Sequence, residues 1–376
     1  MLQLSLDRPR TYQHKISHIV KREGNHTIEK QAGVVERGYG PLEREWKNTL
    51  YSYVKEYNRG EIDYKPQEQH MITDLAVLLE RGKRAAQLEE WYRERQAVPL
   101  RCETSAKLLR TLSDRKGEAV VDVQLYSRLF YSKGGMTHRE DRIEKERLTF
   151  TKDGNYWVVS RVVRDVQERK PVAYETLIAA ENAKQAGILR KPLLNREVLY
   201  PGIPARLVRY RREDAVAYAD QWWNSGNPEF EEFEVNCTNY ISQCLFAGGA
   251  PINYTGRRET GWWYKGYASG QEQWSYSWAV SDSLENYLAR NHSGLTATLV
   301  DGPEQLQLGD VIFYDWNGDG RYQHSTIVTA FDAGGMPLVN ANTVSSRHRY
   351  WDYKDSYAWT ENTTYRLFHI ADTFGA

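Results

Sequence analysis

LQLGDVIFYDWNGDGRYQHSTIVTAFDAGGMPLVNANT, residues 306–343, holds three apolar runs separated by two glycine-rich turns. DVIFYDW, HSTIVTAF and PLVNANT have strand length and are rich in β-branched and aromatic residues, while NGDG and DAGG supply the turns. Strands joined by turns this short pair antiparallel. His324 opens the second strand, and Asn340 and Asn342 lie two apart at the end of the third, on one face.

Upstream, residues 236–249 read NCTNYISQCLFAGG. Cys237, Tyr240, Ile241, Cys244 and Leu245 fall at i, i+3, i+4, i+7 and i+8, one face of a helix. Asn236 is a good N-cap residue type, and Gly248-Gly249 supplies the stop. Seven residues at ~1.5 Å rise separate the two thiols by about 10 Å, so they cannot form an unstrained disulfide within the helix. The pattern alone fits two small core residues. The first turn, however, favours a thiolate and the last turn disfavours one, so Cys237 is the candidate nucleophile. A cysteine nucleophile needs a base, usually histidine, oriented by a third polar group. Of the nine histidines, His324 stands in the patterned strand, and Asn342, with Asn340 second, is placed to hold its ring.

The N-terminal half reads differently. Residues 1–40 are polar and unpatterned and read as a flexible arm. Trp46, Leu50, Val54 and Tyr57 mark a helix, and a second follows over 71–96, with Gly82 as a place where it splits or bends. EAVVDVQLYSRLFYS (118–132) alternates as a half-buried strand, and KGGMTHREDR (133–142) reads as its turn. Two more strands then meet at Asp153-Gly154, a hairpin signal. Residues 41–170 thus form a small unit of helices and an antiparallel meander, similar in pattern to cystatin-like or nuclear-transport-factor-like modules. Cys102, alone beside a strand, reads as packing. Four prolines punctuate a linker at 171–205, around a short helical run near YETLIAAENAKQA, and a second domain spans 206–376. The overall class is α+β.

Composition narrows the function. Fifty basic and fifty acidic residues give no bulk attraction to nucleic acid or membrane, and no run is long and apolar enough to span a bilayer. The start, MLQLSLDRPRTYQHK, has no apolar core of signal-peptide length. That points to a cytoplasmic protein, or to a spore-associated one or one exported by a non-classical route. Three cysteines make no disulfide framework, and no cofactor is expected. Asp315, Asn317 and Asp319 occupy positions 1, 3 and 5 of an EF-hand-like loop, with Gly320 at 6. Position twelve is Thr326 and the flanks are strands, so a hairpin turn is the preferred reading over a Ca²⁺ loop. Nine of twelve tryptophans follow residue 220. Trp262, Trp263, Trp274 and Trp278, between nucleophile and base, either line a groove for sugar or peptide or fill the core.

The order of cysteine on a helix, histidine on a strand and asparagine on the next resembles papain-like cysteine hydrolases, including the CHAP-type and NlpC-type cell-wall peptidases. RREDAVAYADQWW, NPEF, NCTNYISQCLFAGGAP, GWWY, SYSW, GDVIFYDWNGDGRYQHSTIVT and PLVNANT together resemble the "putative amidase domain" of Gram-positive bacteria, over about residues 206–370. The resemblance implies a papain-like domain, with its catalytic helix packed on an antiparallel sheet. It also implies a nucleophile at Cys237, a base at His324 and a peptide or peptidoglycan-fragment substrate. Asn236 or Asn239 would support the oxyanion. The family usually carries an acid where Asn236 stands and a histidine where Asn342 stands. The alternative is an inactive or weakly active binding module on the same fold, with an aromatic groove for glycan or peptide. Oligomeric state is left open.

Overall fold

The computed structural model describes residues 2–7, 45–64, 71–170, 207–268, 271–290 and 293–375. Strand β1 (Leu2–Asp7) falls within the segment expected to be a flexible arm; it pairs antiparallel with residues 101–106. The remainder of that arm, the 171–205 linker and its helical run lie outside the described residues. Helix α1 (Glu45–Asp63) buries Trp46, Leu50, Val54 and Tyr57, the face its spacing predicts. Helix α2 (Leu75–Glu94) is capped by Asp74, whose side chain accepts from the Val77 N–H at 3.3 Å. It runs unbroken through Gly82. An interior glycine costs about 1 kcal/mol, which burial of Val77, Leu88 and Trp91 exceeds.

A meander follows: β2 (Ala97–Arg115), β3 (Glu118–Lys133), β4 (Met136–Asp153) and β5 (Tyr156–Arg164). Val121, Val123 and Leu125 of β3 alternate into a core with α1, and Gly154 turns the last hairpin at φ +57°. Two parts escaped the sequence reading. Strand β2 lacks alternation because residues 107–115 are mostly exposed. Residues 136–142, read as a turn because they are polar, are the start of β4, where Glu140, Asp141 and Arg142 are buried.

After a short 3₁₀ turn (Gln167–Arg169) come β6 (Val208–Arg209), α3 (Arg212–Trp222) and α4 (Cys237–Ala247). Next are β7 (Tyr264–Ala268), β8 (Gln271–Trp274), α5 (Tyr276–Ala279) and α6 (Ser281–Arg290). The chain then lays down β9 (Ala297–Val300), β10 (Val311–Asp315), β11 (His324–Phe331), β12 (Pro337–Ala341) and β13 (Ser346–Tyr350). It ends with β14 (Thr364–Ile370) and β15 (Thr373–Phe374). The three strands read from residues 306–343 are β10, β11 and β12, paired antiparallel in that order.

The two halves share one eleven-stranded sheet, β1-β2-β3-β4-β13-β12-β11-β10-β14-β9, with β5 also on β4. The named strands pair antiparallel, giving a mixed fold of helices around a large antiparallel sheet. Strand β4 is the joint: it carries β5 on residues 146–153 and β13 on Asp141 and Arg142. The Ile143 N–H donates to the Ser345 carbonyl at 2.8 Å. Apolar side chains cross the same joint, with Trp91, Leu129 and Tyr131 meeting Leu338 and Tyr350.

Charged groups are buried there too. Arg142 pairs with Glu140 and, at 2.6 Å, with Asp355; Arg349 reaches Asp355 at 3.1 Å and Glu168 at 3.4 Å; Arg84 pairs with Glu61 at 2.8 Å. Beyond the joint, one face of the sheet (Val311, Phe313, Ile327) packs on α3, α4 and α6. The other (Ile312, Tyr314, Val328, Val339) packs on Trp316, Tyr353 and Ala358. Among the described residues no helix is long and apolar enough to cross a membrane.

Candidate functional site

Helix α4 starts at Cys237, as the spacing predicts, and stops where Gly249 takes φ +92° and the Ala250 N–H returns to the Leu245 carbonyl. Asn236 holds the N-cap position, but its side chain does not cap. Its Oδ1 instead accepts from the Phe233 N–H at 3.2 Å and from Asn239 Nδ2 at 2.9 Å. Its Nδ2 donates to Asn342 Oδ1 at 2.8 Å, and its backbone N–H to Thr343 Oγ1. Asn342 spends its own Nδ2 on the Trp222 and Trp223 carbonyls. Asn239 donates to the Glu231 carbonyl and accepts from Trp278 Nε1 at 2.8 Å. Asn236, Asn239 and Asn342 therefore form one network around the start of α4. Asn340 serves another: it donates to Asp220 of α3 and accepts from Thr329 and the His348 N–H.

The Cys237 thiol is buried, 3.8 Å from Thr238 Oγ1, and Thr238 in turn meets Ser325 Oγ at 3.2 Å. His324 is not brought to it. Successive strand residues face opposite ways. Ser325 and Ile327 face α4, so His324 faces the far layer, with Tyr314, Trp316 and Tyr353 at ring-centroid distances of 5.5, 5.9 and 5.4 Å. Among the described residues, neither of its ring nitrogens has a hydrogen-bond partner. Complete burial, helped by the Arg349 guanidinium, pushes its pKa down to about 3. The expected Cys237–His324–Asn342 arrangement is thus not assembled in this conformation: Asn342 is beside Asn236, and His324 is across the sheet.

The four tryptophans also correct the groove reading. Trp262, Trp263, Trp274 and Trp278 are all at most 3% exposed. Trp262 Nε1 donates to Ser242 Oγ and Trp263 Nε1 to the Thr260 carbonyl. Trp262, Trp274 and Trp278 fill the core around α4, and Trp263 is buried edge-on to Tyr254. The turn after β10 resolves as the hairpin reading requires: Asp315 accepts from the N–H groups of Asn317, Gly318 and Gly320, and Asn317 Nδ2 donates to Asp319. Those three N–H groups point at the carboxylate oxygens a cation would need. Among the described residues no cluster of His, Cys, Asp or Glu is arranged to hold a metal ion.

Sequence reasoning assigned Asp310 no role, although it stands in the quoted GDVIFYD. Its carboxylate binds Arg212 at 2.7 Å, the Ile370 and Gln307 N–H groups, and the ring of His369 at 2.8 Å. It ties α3 to β14 behind the site. An acid directly before a fully apolar strand was the available signal.

Beside the start of α4 a polar cleft of about 290 Å³ opens between the halves. Its lining includes Gln124, Lys145 and Asp165 from the N-terminal half and Glu234, Asn236 and Asn342 from the C-terminal half.

The family model described as "putative amidase domain" matches residues 209–368. The uncharacterized protein YhbB of Bacillus subtilis (strain 168) is 52% identical over 167 residues, 44% of this chain and 52% of that protein. The uncharacterized protein YjcM of the same organism is 24% identical over 124 residues, 31% of this chain and 27% of that protein. The chain thus spans about half the length of the first relative and about a quarter of the second. No solved structure matches.

Proposed function

We propose that the C-terminal half hydrolyses amide bonds of peptide substrates, cell-wall peptide among them, with Cys237 as nucleophile. The observation that carries this reading is the position of Cys237: first residue of a buried helix whose N-cap residue, Asn236, turns its side chain from the cap and lines a polar cleft. The match to an amidase family model over the same residues supports it. First-turn N–H groups and the helix dipole favour a thiolate at that position. The thiolate forms a bond to the amide carbon, and the Cys237 N–H holds the oxyanion. The C–N bond then breaks as a base-derived proton goes to the leaving amine, and water releases the acyl group as an acid.

For His324 to supply that proton transfer, the 317–323 turn must swing so that the first residue of β11 changes face. Two unpartnered ring nitrogens make its present seat a costly one, at about 1–3 kcal/mol per unsatisfied group. One observation favours a second reading, a peptide-binding module on the same fold: no base lies within hydrogen-bond reach of the Cys237 thiol among the described residues.

Iodoacetamide labelling of the native chain at pH ~6, followed by mapping of the adduct, separates the two. Burial raises the thiol pKa of both Cys102 and Cys244, so a hydrolase alkylates selectively at Cys237. Equal, slow labelling of all three cysteines would sink the nucleophile. Loss of amide cleavage in Cys237→Ser, on muropeptides, completes the test.

A further inference from the structure

The seat that keeps His324 from Cys237 is closed by the N-terminal half. The 3₁₀ turn Gln167–Arg169 follows β5 and lies on the aromatic layer that holds the imidazole. Its Glu168 carbonyl accepts from Trp316 Nε1 at 2.7 Å, and the Trp316 ring stacks on His324. The Glu168 carboxylate accepts from the Ser356 hydroxyl at 2.8 Å and meets Arg349 at 3.4 Å, the guanidinium that helps to keep the imidazole neutral. Arg169 donates to the Ala358 carbonyl at 2.9 Å and to the Trp359 carbonyl at 3.4 Å, and Val166 packs on the same layer. Trp316 carries the contact onward. Its backbone N–H donates to Gln323 Oε1 at 2.9 Å, one residue before His324 and inside the turn that must swing. The imidazole does nothing to hold its own place, since neither ring nitrogen has a partner among the described residues. A side chain in such a seat stays there because its surroundings do.

We propose that residues 166–169 are an autoinhibitory latch. Docked, they hold Trp316 over His324 and keep the base away from Cys237. Undocked, they free the 317–323 turn to bring His324 to the α4 side of the sheet. The inference rests on the reading of Cys237 as nucleophile and His324 as base, and it gives the N-terminal half control over when that pair forms. The latch can leave without unpairing the sheet. It belongs to no strand, and short-range backbone bonds shape it, from the Gln167 N–H to the Asp165 carbonyl and from the Arg169 N–H to the Val166 carbonyl. The pairing of β4 with β13 lies elsewhere, at Asp141 and Arg142. Bonds present in one of two states and absent from the other set the populations of both, so weakening the latch raises the fraction of chains with His324 beside the thiol.

The test uses two variants of the full chain. Trp316→Phe keeps a ring on His324 and deletes the bond to the Glu168 carbonyl. Adding Arg169→Ala also deletes both bonds to the 358–359 carbonyls. Two readouts are taken: the rate of iodoacetamide labelling at each cysteine, and NMR titration of the histidines, with His324 assigned from His324→Ala. The His324 ring, neutral in the native chain down to about pH 3, is expected to titrate closer to 6.5 in the double variant. Alkylation of Cys237 is expected to rise about tenfold while Cys102 and Cys244 stay slow, because an imidazolium beside the thiol favours the thiolate. Adding His324→Ala is expected to cancel the rise. An unchanged His324 titration, a Cys237 rate that does not move, or a rise that survives His324→Ala would each overturn the inference. If the double variant loses its fold, seen as equal acceleration of all three cysteines, Trp316→Phe alone decides by the same criteria. A His324-dependent rise at Cys237 without cleavage of muropeptides keeps this inference and loses the hydrolase reading. Cleavage by the native chain that neither variant changes does the reverse.

Discussion

His324 is a wholly buried imidazole with no hydrogen-bond partner among the described residues, stacked on Trp316 and tilted against Tyr314 and Tyr353. Its proton affinity has a measurable consequence. The folded-state pKa of about 3 lies below the ordinary value near 6.5, so between those pH values only the unfolded chain takes up the proton. Stability therefore falls with acid through that window, by about 1.4 kcal/mol per pH unit from this residue alone. His324→Phe is expected to remove that slope and to leave stability near pH 7 unchanged or higher, as read by urea unfolding at pH 4, 5, 6 and 7. Glu168 works in the opposite sense. Burial pushes its pKa up to about 7, against the pull of Arg349 and the Ser356 hydroxyl. Its contribution is present below about pH 4.5 and is lost as pH rises to 7, so Glu168→Gln should flatten the neutral side of the same profile. The sequence located His324 at the head of a strand but could not give its face. HSTIVTAF is packed on both sides, so it carries no alternation from which a facing could be read.

At the scale of the element, α4 explains why the tryptophans read ambiguously. Its apolar face was legible from the spacing of Tyr240, Ile241, Cys244 and Leu245, but every residue from Cys237 to Leu245 is buried. The polar ones are accommodated by aromatic donors: Ser242 accepts from Trp262, Asn239 from Trp278, and Gln243 from the Tyr218 hydroxyl. A tryptophan carries both a large apolar body and one N–H, so the same residue type suits a ligand groove and a polar helix in a core. Sequence has no term that separates them. The structure does, and it predicts that Trp278→Phe, which leaves Asn239 Oδ1 without its donor, costs about 1–3 kcal/mol in denaturant unfolding. A tryptophan on an exposed groove would cost far less.

At the scale of the whole molecule, the N-terminal meander and the C-terminal strands were each legible, the first from Asp153-Gly154 and the alternation of β3, the second from the turns around β11. Their fusion was not. The residues that make it, Glu140, Asp141 and Arg142, look like a solvated turn because burying charge is costly unless the partner is present, and the partners lie in a distant part of the sequence. Arg142→Met should therefore cost about 3–5 kcal/mol by leaving Glu140, Asp355 and Glu61 one buried cation short, with Arg349 still on the first two, a loss visible as a lower midpoint in urea. The joint also constrains how the chain is made. Asp141 and Arg142 leave the ribosome roughly 200 positions ahead of the strand they pair with, so at 5–20 residues per second the edge of β4 stands open for about 10–40 seconds. An open edge invites pairing with strangers, and charge along it is a known protection. Glu140, Asp141 and Arg142, sequestered in the finished molecule, are on that account also the guard that keeps the unfinished one from joining its neighbours.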